Sequence, residues 1–284
     1  MPFTLSHAAA VLPGIRRSGR GRGPLLASAL VAGSFAPDMT YFAASAVPGA
    51  MAFGTFTHSL PGVLTLDAVV AAVLVGGWLL LREPLVALLP GRARGRVYRL
   101  VRGEDWRAAP SRVRLVLWFW VSAVTGSLTH VVWDAFTHLD RFGTDALPWL
   151  TEVVAGFPFY LYVQYGSSAV ALAVLAWFVA GALRRLPDGA APAAVPVLGR
   201  GERAGAFALL GAGVAAGVAQ RVARWFTYFD AVHSPFDIIP TVCFGAGTGL
   251  LLALPVYALL VRRRHRGDRA RTGPDARTPV SSYR

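Results

Sequence analysis

Three residues with metal-ligating side chains recur at helical spacing in the segment GSLTHVVWDAFTH. His130, Asp134 and His138 lie four residues apart. Four residues turn an α-helix by about 400°, so the three side chains share one helix face. Imidazole nitrogens and carboxylate oxygens together suit Zn²⁺ and similar divalent ions. The spacing therefore predicts metal binding, with a buried polar network or a proton relay as alternative interpretations.

On a straight helix a single ion cannot reach both histidines, because eight residues rise about 12 Å. Two arrangements follow for the segment. In one, His130 and Asp134 bind the same ion, and His138 binds a second ion or lies behind the ligands. In the other, Asp134 orients a histidine that binds the ion.

The elements that carry these residues are long apolar runs. The chain is 55% hydrophobic and only 15% charged, whereas soluble domains carry about 25% charged residues. This composition predicts an all-α, polytopic transmembrane bundle of about six spans, each of which can cross about 30 Å of hydrocarbon. The expected spans are Leu25–Val47, Gly62–Leu81, Val113–Thr137, Phe159–Leu183, Ala204–Ala223 and Ile239–Val261.

Two segments outside these spans complete the domain organisation. The stretch Phe3–Ile15 is apolar but too short to span, which predicts a re-entrant or interfacial helix. We expect residues 1–264 to form one integral membrane domain. Residues 265–284 are polar and rich in Gly, Pro, Ser and Thr, which predicts a disordered cytoplasmic tail. The single cysteine excludes a disulfide framework.

Charge alternates between the loops and predicts the orientation. The formal net charge is +13, and the arginines cluster before the first span, in alternate loops and after the last span. This pattern is typical of a membrane protein and not of a nucleic-acid-binding protein, so no nucleic-acid partner is expected. By the positive-inside rule, both termini lie in the cytoplasm of a multi-pass plasma-membrane protein.

Two further residues converge on the same side in this orientation. Asp38 follows Pro37 in SFAPDMTYF, and His58 lies in FTHSL just before the second span. Both are then near the outer surface, which the helix carrying His130 also approaches. This convergence makes them candidate co-ligands; alternatively, Asp38 caps a helix fragment and His58 is a solvated loop histidine.

Four weaker signals lie elsewhere in the spans. Arg221 and Arg224 stand at the outer end of the fifth span, against the charge rule. They either extend to lipid headgroups or anchor a phosphate-bearing substrate. Asp67 could pair with one of these arginines or stand near the site. Gln164 could bond across helices or face the cavity.

Several of these motifs resemble those of known protein families. MPFTLSHAAAVLP, GSFAPDMTYF, FTHSL, GSLTHVVWDAFTH and VQYGSS resemble, in this order, an uncharacterised bacterial family of integral membrane proteins, domain of unknown function 4184, as far as about Val261. A more distant resemblance is to the membrane-bound metal-dependent hydrolase family. That resemblance implies metal ligands at His7, Asp38, His58, His130 and Asp134.

This chain departs from the hydrolase family at three positions. Thr40 and Phe53 stand where that family often has a second Asp and an extra His, and His138 stands where it shows Pro. Two potential ligands are therefore missing and one is gained, which argues against a two-metal mechanism.

The expected function is metal-dependent hydrolysis of a small, lipid-linked or envelope substrate. The expected cofactor is a divalent metal, with zinc favoured, and the expected catalytic residues are Asp134 and His138. Membrane lipid is the expected partner. The alternatives are a proton- or metal-coupled transporter and a non-catalytic membrane scaffold. The inner halves of the spans contain few polar residues, which disfavours a transporter.

Overall fold

The chain is helical almost throughout its described residues, which confirms the all-α prediction. The structure, a computed structural model, describes residues 3–103, 106 and 111–271. The α-helices are α1 Ala27–Phe35, α2 Met39–Ala43, α3 Gly54–Thr57, α4 Leu60–Leu64, α5 Leu66–Leu88, α6 Gly91–Arg102, α7 Arg112–Ala135, α8 Phe142–Ala146, α9 Phe159–Arg185, α10 Arg200–Trp225 and α11 Pro235–Arg271. Short 3-10 turns cover Thr4–Ala9, Leu12–Gly14, Ala36–Asp38, Ala50–Phe53 and Pro148–Thr151. A small hairpin pairs β1 Val153–Val154 with β2 Phe157–Pro158.

Among the described residues, five helices are long and apolar enough to cross a membrane. Their most apolar 18-residue windows have mean hydropathies of 1.5 to 1.9. The five segments are Leu66–Leu88, Arg112–Ala135, Phe159–Arg185, Arg200–Trp225 and Pro235–Arg266. Helices of this length and composition identify a multi-pass membrane protein.

The first predicted span, Leu25–Val47, is not one continuous helix. It divides into α1, the 3-10 turn Ala36–Asp38 and α2. Pro37 causes the division, because a proline has no N–H to donate and its ring clashes with the carbonyl group four residues earlier. The break lies directly at Asp38, where the preceding proline in SFAPDMTYF predicts that a helix breaks.

Helices α1 and α7 pack with their backbones almost in contact. A Cβ atom at Gly33 would collide with the Ala123 carbonyl group, and one at Gly126 would collide with the Leu30 carbonyl group. We call this contact between α1 and α7 the α1–α7 seam. The Ser127 hydroxyl donates a 3.0 Å hydrogen bond to the Gly33 carbonyl oxygen across it. Small residues and hydroxyl bonds are the usual basis of helix association in lipid. The seam fixes α7, and with it His130, against α1.

The short N-terminal segment runs down the side of the bundle. The Phe3 ring lies 6.0 Å from the Tyr165 ring, whereas the Arg17 guanidinium lies 4.5 Å from the centre of the Trp177 ring. These partners are twelve residues apart in α9, which corresponds to about 18 Å along the helix axis. The segment therefore lies against α9 over about half the length of that helix.

The two ends of the bundle differ in charge. The arginine end contains α6 and the last turns of α5 and α9; the site end contains the last turn of α7 and the first turn of α9. At the arginine end Pro84 lies inside α5 and has no N–H to donate. Arg262 donates from Nε to the Leu80 carbonyl oxygen (2.9 Å) and from Nη2 to Glu83 (2.6 Å). Arg262 thereby satisfies a carbonyl group that Pro84 leaves without its helical donor.

Helix α11 continues to Arg271, beyond Arg264, where the sequence predicts that the membrane domain ends. The rest of the predicted tail, 272–284, lies outside the described residues.

Candidate metal centre

The break at Pro37 exposes the backbone groups that hold the site. Over Ala36–Asp38 the chain tightens from an α-helix to a 3-10 turn, so carbonyl groups of the preceding turn become available to other donors. His130 uses one of them, because its Nδ1 lies 2.7 Å from the Ser34 carbonyl oxygen. Thr57 binds the 3-10 turn itself, since its hydroxyl donates to the Pro37 carbonyl oxygen at 2.8 Å.

His58 is oriented in the same way as His130. It follows the last residue of α3, and its Nδ1 lies 2.8 Å from the Gly54 carbonyl oxygen. A carbonyl oxygen can only accept, so Nδ1 of both histidines donates a proton, and in the neutral imidazole Nε2 carries the lone pair. A backbone carbonyl on the far ring nitrogen is the usual way in which proteins fix the tautomer of a metal-binding histidine.

The two free Nε2 atoms face two carboxylates. His130 Nε2 lies 3.3 Å from Asp134 Oδ2 and 3.5 Å from Asp38 Oδ1. His58 Nε2 lies 3.6 Å and 3.9 Å from the same two oxygens. The four ligand atoms all lie within 4.8 Å of one another. A tetrahedral zinc site with bonds of about 2.0–2.1 Å has edges of about 3.3–3.4 Å, so small side-chain movements would enclose an ion.

The four residues are buried, and their charges match a divalent cation. Asp38 and His130 are fully buried, Asp134 is 3% exposed and His58 is 9% exposed. His130 Nε2 and Asp38 Oδ1 have no hydrogen-bond partner within the described chain. Buried polar atoms without partners are rare and costly. Two carboxylates with two neutral imidazoles would balance one divalent ion, and the donor set therefore fits such an ion.

Thr4 supports the centre from the N-terminal segment. Its hydroxyl donates a 2.6 Å hydrogen bond to Asp38 Oδ2, and both residues are buried. The other oxygen of Asp38 then faces the histidines. Sequence reasoning did not single out Thr4, and the only signal was its position three residues before His7.

His7 lies against the centre but outside the four-residue group. Its ring stacks on His130 with a centroid distance of 3.6 Å, and its Nε2 lies 3.4 Å from Asp134 Oδ1. Burial is the main cause that lowers the pKa of His7 to about 4, so the imidazole is neutral at neutral pH. The structure thus brings His7 to the carboxylate that the other histidines share.

His138 lies at the mouth of the centre. Helix α7 ends at Ala135, and His138 folds back until its Nδ1 is 3.6 Å from Asp134 Oδ2. Its side chain is 32% exposed, and its Nε2 lies 3.1 Å from Gln164 Nε2. His138 therefore reaches the same carboxylate oxygen as His130. Gln164 faces the site, as one of its two interpretations predicted.

The weaker candidates Asp67, Arg221 and Arg224 differ in their contacts. Asp67 is fully buried, and within the described chain its oxygens have no hydrogen-bond partner and form no ion pair with Arg221 or Arg224. The two arginines contact α2 instead. Arg221 Nη2 donates to the Tyr41 carbonyl oxygen at 2.8 Å, and Arg224 Nη1 donates to the Ala44 carbonyl oxygen at 3.1 Å.

Comparison with known proteins assigns the chain to a family. The family model described as Domain of unknown function (DUF4184) matches residues 1–259. The chain belongs to this family. Every residue of the centre lies within the matched range, so the centre is part of the DUF4184 domain. No curated protein and no solved structure matches the chain.

The match confirms the nearer of the two resemblances drawn from the motifs. The description of DUF4184 names no activity, so the more distant resemblance to metal-dependent hydrolases stays a prediction.

Proposed function

We propose that this DUF4184 protein is a metal-dependent hydrolase of the bacterial plasma membrane that acts on a small, lipid-linked or envelope substrate. One observation carries the proposal. The buried side chains of Asp38, His58, His130 and Asp134 direct four ligand atoms to one point, within 4.8 Å of one another. Two of these residues come from α7, and the other two come from separate segments of the chain.

Zinc is the metal that this donor set favours. Two imidazole nitrogens and two carboxylate oxygens in a compact group suit tetrahedral Zn²⁺, whereas Mg²⁺ and Ca²⁺ prefer oxygen ligands and more of them. When bound, such an ion supplies Lewis acidity and an activated water nucleophile near neutral pH.

The protein side chains have separable roles in this proposal. Asp38, His58 and His130 hold the metal, and His7 packs over His130. Asp134 binds on one oxygen and faces His7 with the other. His138 lies at the mouth of the site with its Nδ1 3.6 Å from Asp134 Oδ2, where an imidazole could act as a general base. His138 and Asp134 are therefore the proposed catalytic residues.

The surroundings of the site favour an amphiphilic substrate. The segment that joins α2 to α4 exposes Val47 (55%), Met51 (56%) and Phe53 (60%) beside the residues that lead to His58. Exposed apolar clusters of this kind contact membrane or an apolar ligand. A substrate with an acyl or prenyl chain could keep that chain in lipid while its polar part reaches the mouth at His138.

The location in the bundle supports an outward-facing site. The centre lies at the site end, away from the arginine end that the positive-inside rule assigns to the cytoplasm. Thr4 and His7 contact Asp38 and Asp134 at the site end, so this orientation keeps the C-terminal end of α11 cytoplasmic but places the N-terminal segment on the outer side, unlike the expectation for both termini. Between the two ends, α1 and α7 pack through Gly33, Ala123 and Gly126 with their backbones almost in contact. This close packing favours hydrolysis at one surface over transport through the bundle.

The experiment has two stages, and the first measures metal in the purified full chain. We expect a stoichiometric divalent ion in the wild type and its loss in His130→Ala. The matched control is His233→Ala, which changes an exposed loop histidine and should leave the metal content unchanged. Metal-free wild-type protein, or equal metal in both variants, would contradict the proposal.

The second stage tests hydrolysis. Metal-loaded protein is incubated with a total lipid extract of bacterial membranes, and the products are followed by mass spectrometry. We expect products that require the wild type and are abolished by a chelator and by His130→Ala. Stoichiometric metal with no metal-dependent product, together with proton or metal flux in liposomes that Asp134→Asn abolishes, would favour transport instead.

A further inference from the structure

We propose that Arg221, Arg224 and Trp225 at the end of α10 form a binding site for a phosphate group, and that this phosphate belongs to the substrate of the adjacent centre. The first part stands on the geometry of α10. The second part rests on the proposed function.

Helix α2 lies between the proposed phosphate site and the metal centre and contacts both. Arg221 donates to the carbonyl oxygen of Tyr41, three residues after Asp38, which is less than one helical turn. The Tyr41 ring lies 5.7 Å from the His58 ring. A group bound by Arg221 is therefore separated from the ligands only by the first turn of α2.

The positive charges of Arg221 and Arg224 are not neutralised by a carboxylate of the described residues. Arg221 and Arg224 are one turn apart, so their like charges repel, and no described carboxylate oxygen pairs with either. Arginines at the arginine end behave differently: Arg82 and Arg262 both pair with Glu83. An anion would neutralise the pair on α10.

Two buried donors on the same face lack acceptors. Arg221 Nε and Trp225 Nε1 are buried and have no hydrogen-bond partner within the described chain. They are four residues apart on α10, so they lie on one face of the helix. A phosphate group offers several acceptor oxygens, and arginine matches its geometry better than lysine does. One phosphate could therefore satisfy donors that the protein itself leaves without acceptors.

The walls beside these donors are aromatic. The Arg221 guanidinium lies 5.8 Å from the Phe244 ring centre, the Tyr41 ring lies 5.7 Å from that of Phe244, and Trp225 stacks on Phe229 at 4.2 Å. Aromatic walls around cationic donors suit the boundary between a polar headgroup and an apolar chain. The occupant that fits is thus a phosphate-bearing amphiphile.

The test measures binding of a defined probe, dihexanoyl phosphatidate, to the full-length protein in a non-ionic detergent by calorimetry. Dihexanoyl glycerol is the matched neutral probe. The test variant is Arg221→Gln with Arg224→Gln, and the control variant is Arg184→Gln with Arg185→Gln, a second arginine pair in a last helical turn. A further variant, Trp225→Phe, removes only the indole donor and keeps both arginines.

We expect the wild type and the control variant to bind the phosphatidate but not the glycerol. The test variant should lose on the order of tenfold in affinity, and Trp225→Phe should lose several-fold. Equal affinity in the wild type, the test variant and Trp225→Phe would overturn the phosphate site.

Removal of the metal distinguishes a substrate phosphate from a structural lipid headgroup. If the phosphate belongs to the substrate, phosphatidate should bind several-fold more weakly to chelator-treated protein and to His130→Ala. Equal affinity with and without metal would overturn the substrate assignment and identify a headgroup site. The two proposals fail separately: a metal-free wild type refutes the metal centre, whereas unchanged affinity in the test variant and Trp225→Phe refutes the phosphate site.

Discussion

Thr4 orients the Asp38 carboxylate by a hydrogen bond, as backbone carbonyl groups orient the rings of His58 and His130. Its 2.6 Å hydrogen bond occupies one carboxylate oxygen, and the other oxygen is left facing His130 at 3.5 Å. Side chains that orient metal ligands in this way affect affinity without contacting the ion. The contribution of single residues to the centre can therefore be separated into ligands and supports.

At this scale we predict that Thr4→Val weakens metal binding, because the nearly isosteric side chain cannot donate to Asp38. A loss of about 10- to 100-fold in affinity is typical for such a support. Thr4→Ser keeps the hydroxyl and should bind nearly as tightly as the wild type. Competition with a chromogenic chelator gives the affinities, and equal values for the two variants would contradict the role of Thr4.

A second prediction at the residue scale concerns His138. Because it lies at the mouth and outside the four-residue group, His138→Ala should keep a stoichiometric metal ion. The loss of a proton acceptor should lower turnover of the identified substrate by about 10²- to 10⁴-fold. Elemental analysis and rate measurements on the same preparation check both parts. Loss of the metal would show instead that His138 is a ligand.

At the scale of elements, the α1–α7 seam decides whether the centre can assemble. His130 reaches the Ser34 carbonyl oxygen only because Gly33 and Gly126 let the two backbones approach. Close backbone approach through small residues replaces the hydrophobic driving force, which is absent between helices in lipid. The ligands on α7 thus depend on two glycines that have no chemical role themselves.

The corresponding prediction compares two glycines inside long helices. Gly126→Ala places a methyl group against the Leu30 carbonyl group and should lower the free energy of unfolding by about 1–3 kcal/mol. Gly76→Ala in α5 meets nothing within 4 Å and should be neutral or slightly stabilising. Melting temperatures in one detergent test the difference. Equal melting of both variants would show that the seam tolerates expansion.

At the scale of the whole molecule, a cluster of arginine ion pairs and the metal centre lie at opposite ends. Arg82, Glu83 and Arg262 form ion pairs at the arginine end, while the Asp and His ligands lie at the site end. In a membrane the orientation of these two ends decides which compartment the centre faces.

We predict that labelling will place the site end outside the cell. In a Cys243→Ala background, Val232→Cys lies between α10 and α11 at the site end, and Val197→Cys lies between α9 and α10 at the arginine end; both valines are exposed. A membrane-impermeant maleimide should label position 232 in intact cells and position 197 only after permeabilisation. The reverse pattern would place the centre on the cytoplasmic side.

The sequence alone determined the features that depend on neighbouring residues. The four-residue spacing of His130 and Asp134 required a shared helix face, and Pro37 next to Asp38 indicated where a helix would break. Apolar runs determined the membrane-spanning helices, because lipid leaves a backbone no other way to satisfy its polar groups. These features are local, so periodicity and composition were sufficient to predict them.

Only the tertiary structure decided which distant groups meet. His7 stacks on a residue 123 positions later, His130 bonds to a carbonyl group 96 positions earlier, and Arg221 bonds to one 180 positions earlier. The folding back of His138 and the support from Thr4 also required the packed helices. Contacts between distant segments depend on how helices approach and rotate against one another, and the pattern within any single segment does not encode that geometry.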